Sequence, residues 1–135
     1  MSMKIFVNLP VKDLARSTEF FTKLGFSIDE RYTNESAGCL VISDDIYAML
    51  ITEQFFRTFT TKDLADASTT TEAIVALEVD SRERVDELAD RALESGGSSA
   101  SEPVEDDGMY ERSFADPDGH LWEVFHMSPA AVAAG

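Results

Sequence analysis

The residues best equipped for chemistry stand near the end of the chain, where His120, Glu123 and His126 follow one another at three-residue intervals. On a helix that spacing would gather imidazole and carboxylate groups loosely on one face and offer them to a divalent ion. On a strand, side chains alternate, so His120 and His126 share one face and Glu123 points to the other. The run LWEVF follows the turn sequence Asp116-Pro117-Asp118-Gly119 and reads as strand, so an H-x-x-E-x-x-H metal site is not expected. His120 then becomes a turn residue and His126 an exposed or internally satisfied strand residue. Glu123 keeps two readings. A carboxyl group among apolar neighbours is desolvated and becomes a general base or acid near neutral pH; alternatively it is structural, bonded to Asn8, Arg112 or Tyr110. Tyr110 and Arg112 share a strand face. If that face lines a cavity, Arg112 can hold an anionic group bidentately; otherwise it neutralises Glu123 or nearby acids.

Two further groups stand out. Cys39, the single cysteine, lies in the apolar run GCLVI and reads as a small inert hydrophobe; alone it excludes an internal disulfide. Phe55, Phe56 and Phe59 form an aromatic cluster that reads as a lid, a subunit-facing surface, or a short helix packed on its own domain. There is no Gly-rich phosphate loop, no GxSxG motif and no assignable Ser/His/Asp set.

The elements that must position these residues recur in one order. KIFVNLPV (4–11) reads as a strand, and Asp13 caps a helix whose Leu14, Ser17, Phe21 and Leu24 repeat at helical spacing up to Gly25, a C′ residue. FSIDERYT, AGCLVISD and IYAMLITE follow as three strand-like runs, parted by Asn34-Glu35-Ser36 and Asp44-Asp45. After a Phe- and Thr-rich connection over 54–71 the order begins again: a strand at 72–79, a helix over 80–95 and its capping box Asp80-x-x-Glu83, then strands at 98–105, 109–116 and 120–127. An offset of 68 lays FVNLPVKD over IVALEVDS, and an offset of 74 lays SDDIYAMLI under the last strand. Two β-α-β-β-β units result, of the α+β class, over about 4–53 and 72–127, forming one domain of residues 1–127 with a short tail at 128–135. Two curved mixed sheets facing a cleft are the expectation, and such a concave apolar space suits a small molecule.

With 135 residues, 26 Asp plus Glu against 11 Lys plus Arg, and a net charge of −15, the chain repels polyanions. Nucleic acid is not an expected partner, nor is a membrane. The excess lies past residue 45, where six basic residues face nineteen acidic ones. The first residues, MSMKIFVNLPV, are too short an apolar run for a signal peptide, so a cytoplasmic location is expected.

VNLPVKDLARSTEFFTKLGF, the repeated topology and the closing ADPDGHLWEVF together resemble the vicinal-oxygen-chelate superfamily, which includes glyoxalase I, bleomycin-resistance proteins, fosfomycin-resistance enzymes and extradiol dioxygenases. Within it the chain looks closest to predicted lactoylglutathione lyase-like proteins. The resemblance implies a metal position on the first and last strand of each unit; those four positions carry Phe6, Met49, Ile74 and Glu123, of which Glu123 alone can ligate. No cofactor is therefore expected, with a divalent metal on other ligands as the alternative. Strand parity then assigns Phe6, Asn8, Met49, Ile51, Ile74, Ala76, Glu123 and Phe125 to one cavity, with Tyr110 and Arg112 joining it if their face is the cavity face. The leading expectation is a small-molecule binder without the catalytic metal, similar to bleomycin-resistance proteins. The alternatives are a glyoxalase-like lyase or isomerase with Glu123 as base, and a metal-dependent enzyme with other ligands. The resemblance also implies a homodimer.

Overall fold

The structure is a computed structural model that describes residues 3–129, so the expected tail lies mostly outside the described residues. By its internal contacts the chain divides into two compact units, Met1–Ala65 and Asp66–Gly135.

The first unit runs β1 (Ile5–Val11), α1 (Leu14–Lys23), β2 (Ser27–Ile28), β3 (Ala37–Val41), β4 (Ile46–Thr52) and the single-turn helix α2 (Glu53–Phe56). Its sheet has the order β1-β4-β3-β2, with β1 and β4 parallel and the other pairs antiparallel. Asp13 starts α1 as expected, its carboxylate accepting the Arg16 N–H at 3.1 Å, and Gly25 follows the C-cap Leu24 with φ 105°. The helix covers one face of the sheet. Its Phe20, Phe21 and Leu24 are buried together with Leu9, Val11, Leu40, Ala48 and Leu50. Each such large side chain contributes about 2 kcal/mol on leaving water. Gly38 sits where α1 comes closest, since a Cβ there would meet Leu14 and Thr18 at 3.4 Å.

FSIDERYT is less of a strand than expected. Only Ser27–Ile28 pairs; the Asp29 carboxylate then accepts the Arg31 N–H and starts a 3₁₀ turn at Glu30–Tyr32. A short polar side chain that bonds its own backbone competes with ladder pairing, and here it wins.

The second unit repeats the plan as β5 (Ile74–Glu78), α3 (Arg82–Glu94), β6 (Ser98–Ser99), β7 (Val104–Asp106), β8 (Met109–Ala115) and β9 (Leu121–Met127). Its order is β5-β9-β8-β6, with β7 also paired to β8. Val85, Leu88, Ala89 and Ala92 of α3 are buried with Phe114, Trp122 and Val124 of the sheet. Two expectations change here. The cap of α3 is Ser81, whose Oγ accepts the Arg84 N–H at 3.1 Å, rather than Asp80. The polar stretch 98–105 splits into two short strands around exposed residues.

The registers of the two units correspond. Asn8 pairs with Met49 as Ala76 pairs with Glu123, which are the positions that the 68- and 74-residue offsets superpose. No helix among the described residues is long and apolar enough to cross a membrane.

Candidate functional site

Each sheet has one face covered by its long helix, α1 or α3, and one that this long helix leaves uncovered; in the first unit the short α2 meets β1 and β4. The uncovered face of the first sheet carries Phe6, Asn8, Tyr47, Met49, Ile51 and Cys39, as the pairings Phe6 with Tyr47, Asn8 with Met49 and Cys39 with Met49 require. Phe6 is 44% exposed, whereas Ile51 and Cys39 are buried. Burial is the main cause that raises the Cys39 thiol pKa, which keeps it in the unreactive thiol form. Asn8 Nδ2 donates to the Phe6 carbonyl at 3.3 Å, so the strand asparagine serves its own backbone in part.

The uncovered face of the second sheet carries Ile74, Ala76 and Glu78 from β5, Leu121, Glu123, Phe125 and Met127 from β9, and Glu111 and Ser113 from β8. Ile74 is 51% exposed. Glu111 lies one diagonal step from Glu123, because Ser113 is the direct partner of Glu123 and Glu111 that of Phe125. Desolvation first, then the charge and hydrogen bond of Glu123, raise the Glu111 pKa above the ordinary glutamate value. Glu111 was not among the residues expected to matter, yet its strand parity pointed to it.

Tyr110 and Arg112 do not join this face. They share a face, as expected, but it is the one under α3: the Tyr110 hydroxyl donates to Asp86 at 2.6 Å, and Arg112 Nη1 donates to Asp86 at 3.0 Å and Asp90 at 2.9 Å. The reason is Phe114, which has their parity and is buried with Trp122 beneath the helix. Arg112 therefore neutralises helix acids, and neither it nor Tyr110 bonds Glu123. The hydrogen bonds from Tyr110 and Arg112 hold the Asp86 carboxyl below its usual pKa.

His126 shares that helix side, pairing with Tyr110 and placing Nδ1 3.0 Å from the Val79 carbonyl, which accepts a proton only and so fixes Nδ1 as the donor. His120 is buried in the β8–β9 turn, where its N–H donates to Asp116 Oδ1. Asp116 also accepts from the Asp118 N–H and from Trp122 Nε1, and burial is the main cause that raises its pKa. These residues build a turn. Among the described residues no group of three or more His, Cys, Asp or Glu is arranged to hold a metal ion.

Phe55, Phe56 and Phe59 pack on one another edge to face, at centroid distances of 5.0 and 6.5 Å, and Phe59 remains 62% exposed. The second unit also has two open grooves. One, about 420 Å³, lies at the start of α3 between Asp80, Arg82, Glu83, Glu105 and His126; Arg82 and Glu105 already pair there. The other, about 490 Å³, lies at the β8–β9 turn. Both are open surface depressions, and neither includes Glu123 or Glu111.

The family model "Glyoxalase/Bleomycin resistance protein/Dioxygenase superfamily" matches residues 5–124. Among solved structures, the hypothetical protein SA1046 from S. aureus is 28% identical over 93% of this chain and 94% of its own, with a TM-score of 0.79. The fosfomycin resistance protein FosX from Listeria monocytogenes is 19% identical, covering 97% of this chain and 98% of its own, with a TM-score of 0.68. A bleomycin resistance determinant encoded on the transposon Tn5 is 18% identical, covering 94% and 99%, with a TM-score of 0.64. The last two show likeness of fold. No curated protein matches the chain.

Proposed function

The chain belongs to the glyoxalase/bleomycin resistance protein/dioxygenase superfamily, and from that premise we propose that it binds a small molecule on the uncovered faces of its sheets without a metal at the positions its metal-dependent relatives use. One observation carries this reading. Phe6, Met49, Ile74 and Glu123 lie on those faces, and three of the four have side chains that do not ligate hard or borderline divalent ions there. The donor set does not fit the group. What the faces offer instead is apolar and aromatic surface with Asn8 on the first and the carboxyl groups of Glu78, Glu111 and Glu123 on the second, polar groups that can orient a small molecule. A homodimer and a cytoplasmic location belong to the same reading.

The test begins with metal analysis of the purified protein, then assay of the hemithioacetal of methylglyoxal and glutathione with added Zn²⁺, Ni²⁺ or Mn²⁺. A thermal-shift screen of a chemically mixed library follows. Metal-free protein, no turnover and stabilising ligands are the expected result. Stoichiometric metal together with turnover lost in Glu123→Gln would sink the reading.

The carboxyl pair favours a second reading, a lyase- or isomerase-type enzyme in which Glu123 is the base. A carboxylate that takes a proton from the carbon beside a carbonyl can return it to the neighbouring carbon, and Glu111, one diagonal step away on β8, is placed to share that proton. Metal-independent turnover of the hemithioacetal, abolished by Glu123→Gln, would establish it.

A further inference from the structure

The residue that stands at the first of those metal positions is part of an ordered aromatic stack. Phe6 on β1 and Tyr47 on β4 are direct partners across the parallel pair, and their rings lie 4.6 Å apart at an interplanar angle of 9°. Tyr47 is held from two sides. Its hydroxyl donates to the Asp44 carbonyl at 2.8 Å, and Lys4 Nζ, itself bonded to that carbonyl, sits 5.4 Å from the ring centroid. The stack is thus fixed in orientation before anything binds, which reduces the entropy lost on binding. Asn8 follows Phe6 on the same face of β1 and is exposed. Asn8 uses its amide N–H₂ on the Phe6 carbonyl, which leaves Oδ1 as an acceptor.

The geometry points to a planar aromatic ligand with a hydrogen-bond donor on its rim: its ring extends the Phe6–Tyr47 stack past the edge strand β1, on the free face of Phe6, and its donor reaches Asn8 Oδ1, two residues along the same strand. This rests on the small-molecule reading and gives it a ligand class. β1 is the edge strand of its sheet, with Phe6 partly exposed, so a further ring can reach the stack. An imidazole at position 6 would offer a nitrogen to an ion; the phenyl ring offers a face.

The probe is 2-naphthol, compared with its saturated analogue 2-decalol, which has the same carbon skeleton and hydroxyl without the planar ring. Both are titrated into the full chain with ¹³C-labelled Phe, Tyr and Met, followed by NMR. Naphthol is expected to move the ring signals of Phe6 and, less, of Tyr47 upfield while the Met49 methyl on β4 stays in place as a control, and to bind about fivefold more tightly than decalol, the worth of one aromatic pair. Phe6→Leu should weaken naphthol about fivefold, and Phe6→Tyr should restore it. Equal binding of naphthol and decalol overturns the inference, as do naphthol shifts confined to Phe55, Phe56 and Phe59. Because the two probes are compared on the unaltered protein, the outcome stands even if Phe6→Leu fails to fold. Should naphthol leave the stack unmoved while the library yields ligands dependent on Glu123, the aromatic inference falls and the binding reading stands. Turnover with bound metal would instead remove the reading itself.

Discussion

Glu111 and Glu123 face each other on a sheet surface whose other charged groups, Glu78 of β5 and Asp106 of β7, are also acidic. The folded protein holds the Glu111 proton more tightly than the unfolded chain does. Its contribution to stability is therefore complete below the ordinary glutamate pKa of about 4.3 and is lost as pH rises through the raised value. In Glu111→Gln that loss is absent. Urea unfolding from pH 4 to 7.5 should show the variant gaining on the parent as pH rises, by less than about 1 kcal/mol at this partly solvated position. Parallel curves would show that the two carboxyl groups do not interact. Asp116 is the more consequential acid for folding. Asp116→Asn keeps an acceptor for the backbone N–H groups but turns an amide N–H₂ towards Trp122 Nε1, so a loss of about 2 kcal/mol in denaturant titration is expected. The sequence made Glu123 legible because the DPDG turn and the alternation of LWEVF fix its parity. Its neighbour Glu111 and the true direction of Arg112 were encoded by the same rule, through Phe114 in MYERSFA. A charged residue's own chemistry does not fix its face; the large apolar residue of the same parity does.

Elements were most readable where apolar spacing and a cap agree, as in α1 with Asp13 and Gly25. They were least readable where polar residues decide between neighbouring options: Ser81 against Asp80 as the cap of α3, and Asp29 ending β2 after two residues. The cap assignment is open to a direct test. Ser81→Ala should cost about 1 kcal/mol in chemical denaturation, while Asp80→Ala should change stability by less than about 0.5 kcal/mol; the reverse ranking would restore Asp80 as the cap. The β8–β9 turn has a stricter requirement. Gly119 has φ +96°, and a Cβ there would lie 2.5 Å from the Ala67 carbonyl oxygen, in backbone that cannot move like a side chain. Gly119→Ala should therefore destabilise by about 2 kcal/mol or more, read as a lowered Tm.

At the scale of the whole molecule, the repeat explains why 135 residues yield two compact units rather than one, each with its own sheet and helix. Each unit leaves apolar side chains in solvent, Ile5 and Phe6 in the first and Ile74 in the second. Light scattering at high protein concentration should accordingly give the mass of a homodimer, and a monomer throughout would refute that expectation. The hydrogen bond from Trp122 to Asp116 has a spectroscopic consequence. This is the chain's only tryptophan, buried in the second unit, with its indole N–H held by a carboxylate and its ring stacked on Phe114. Its fluorescence thus witnesses the melting of one half of the repeat, while far-ultraviolet circular dichroism averages over both. If the halves melt together the two signals will coincide, and if they are energetically independent the emission of one indole will date the loss of its own half alone.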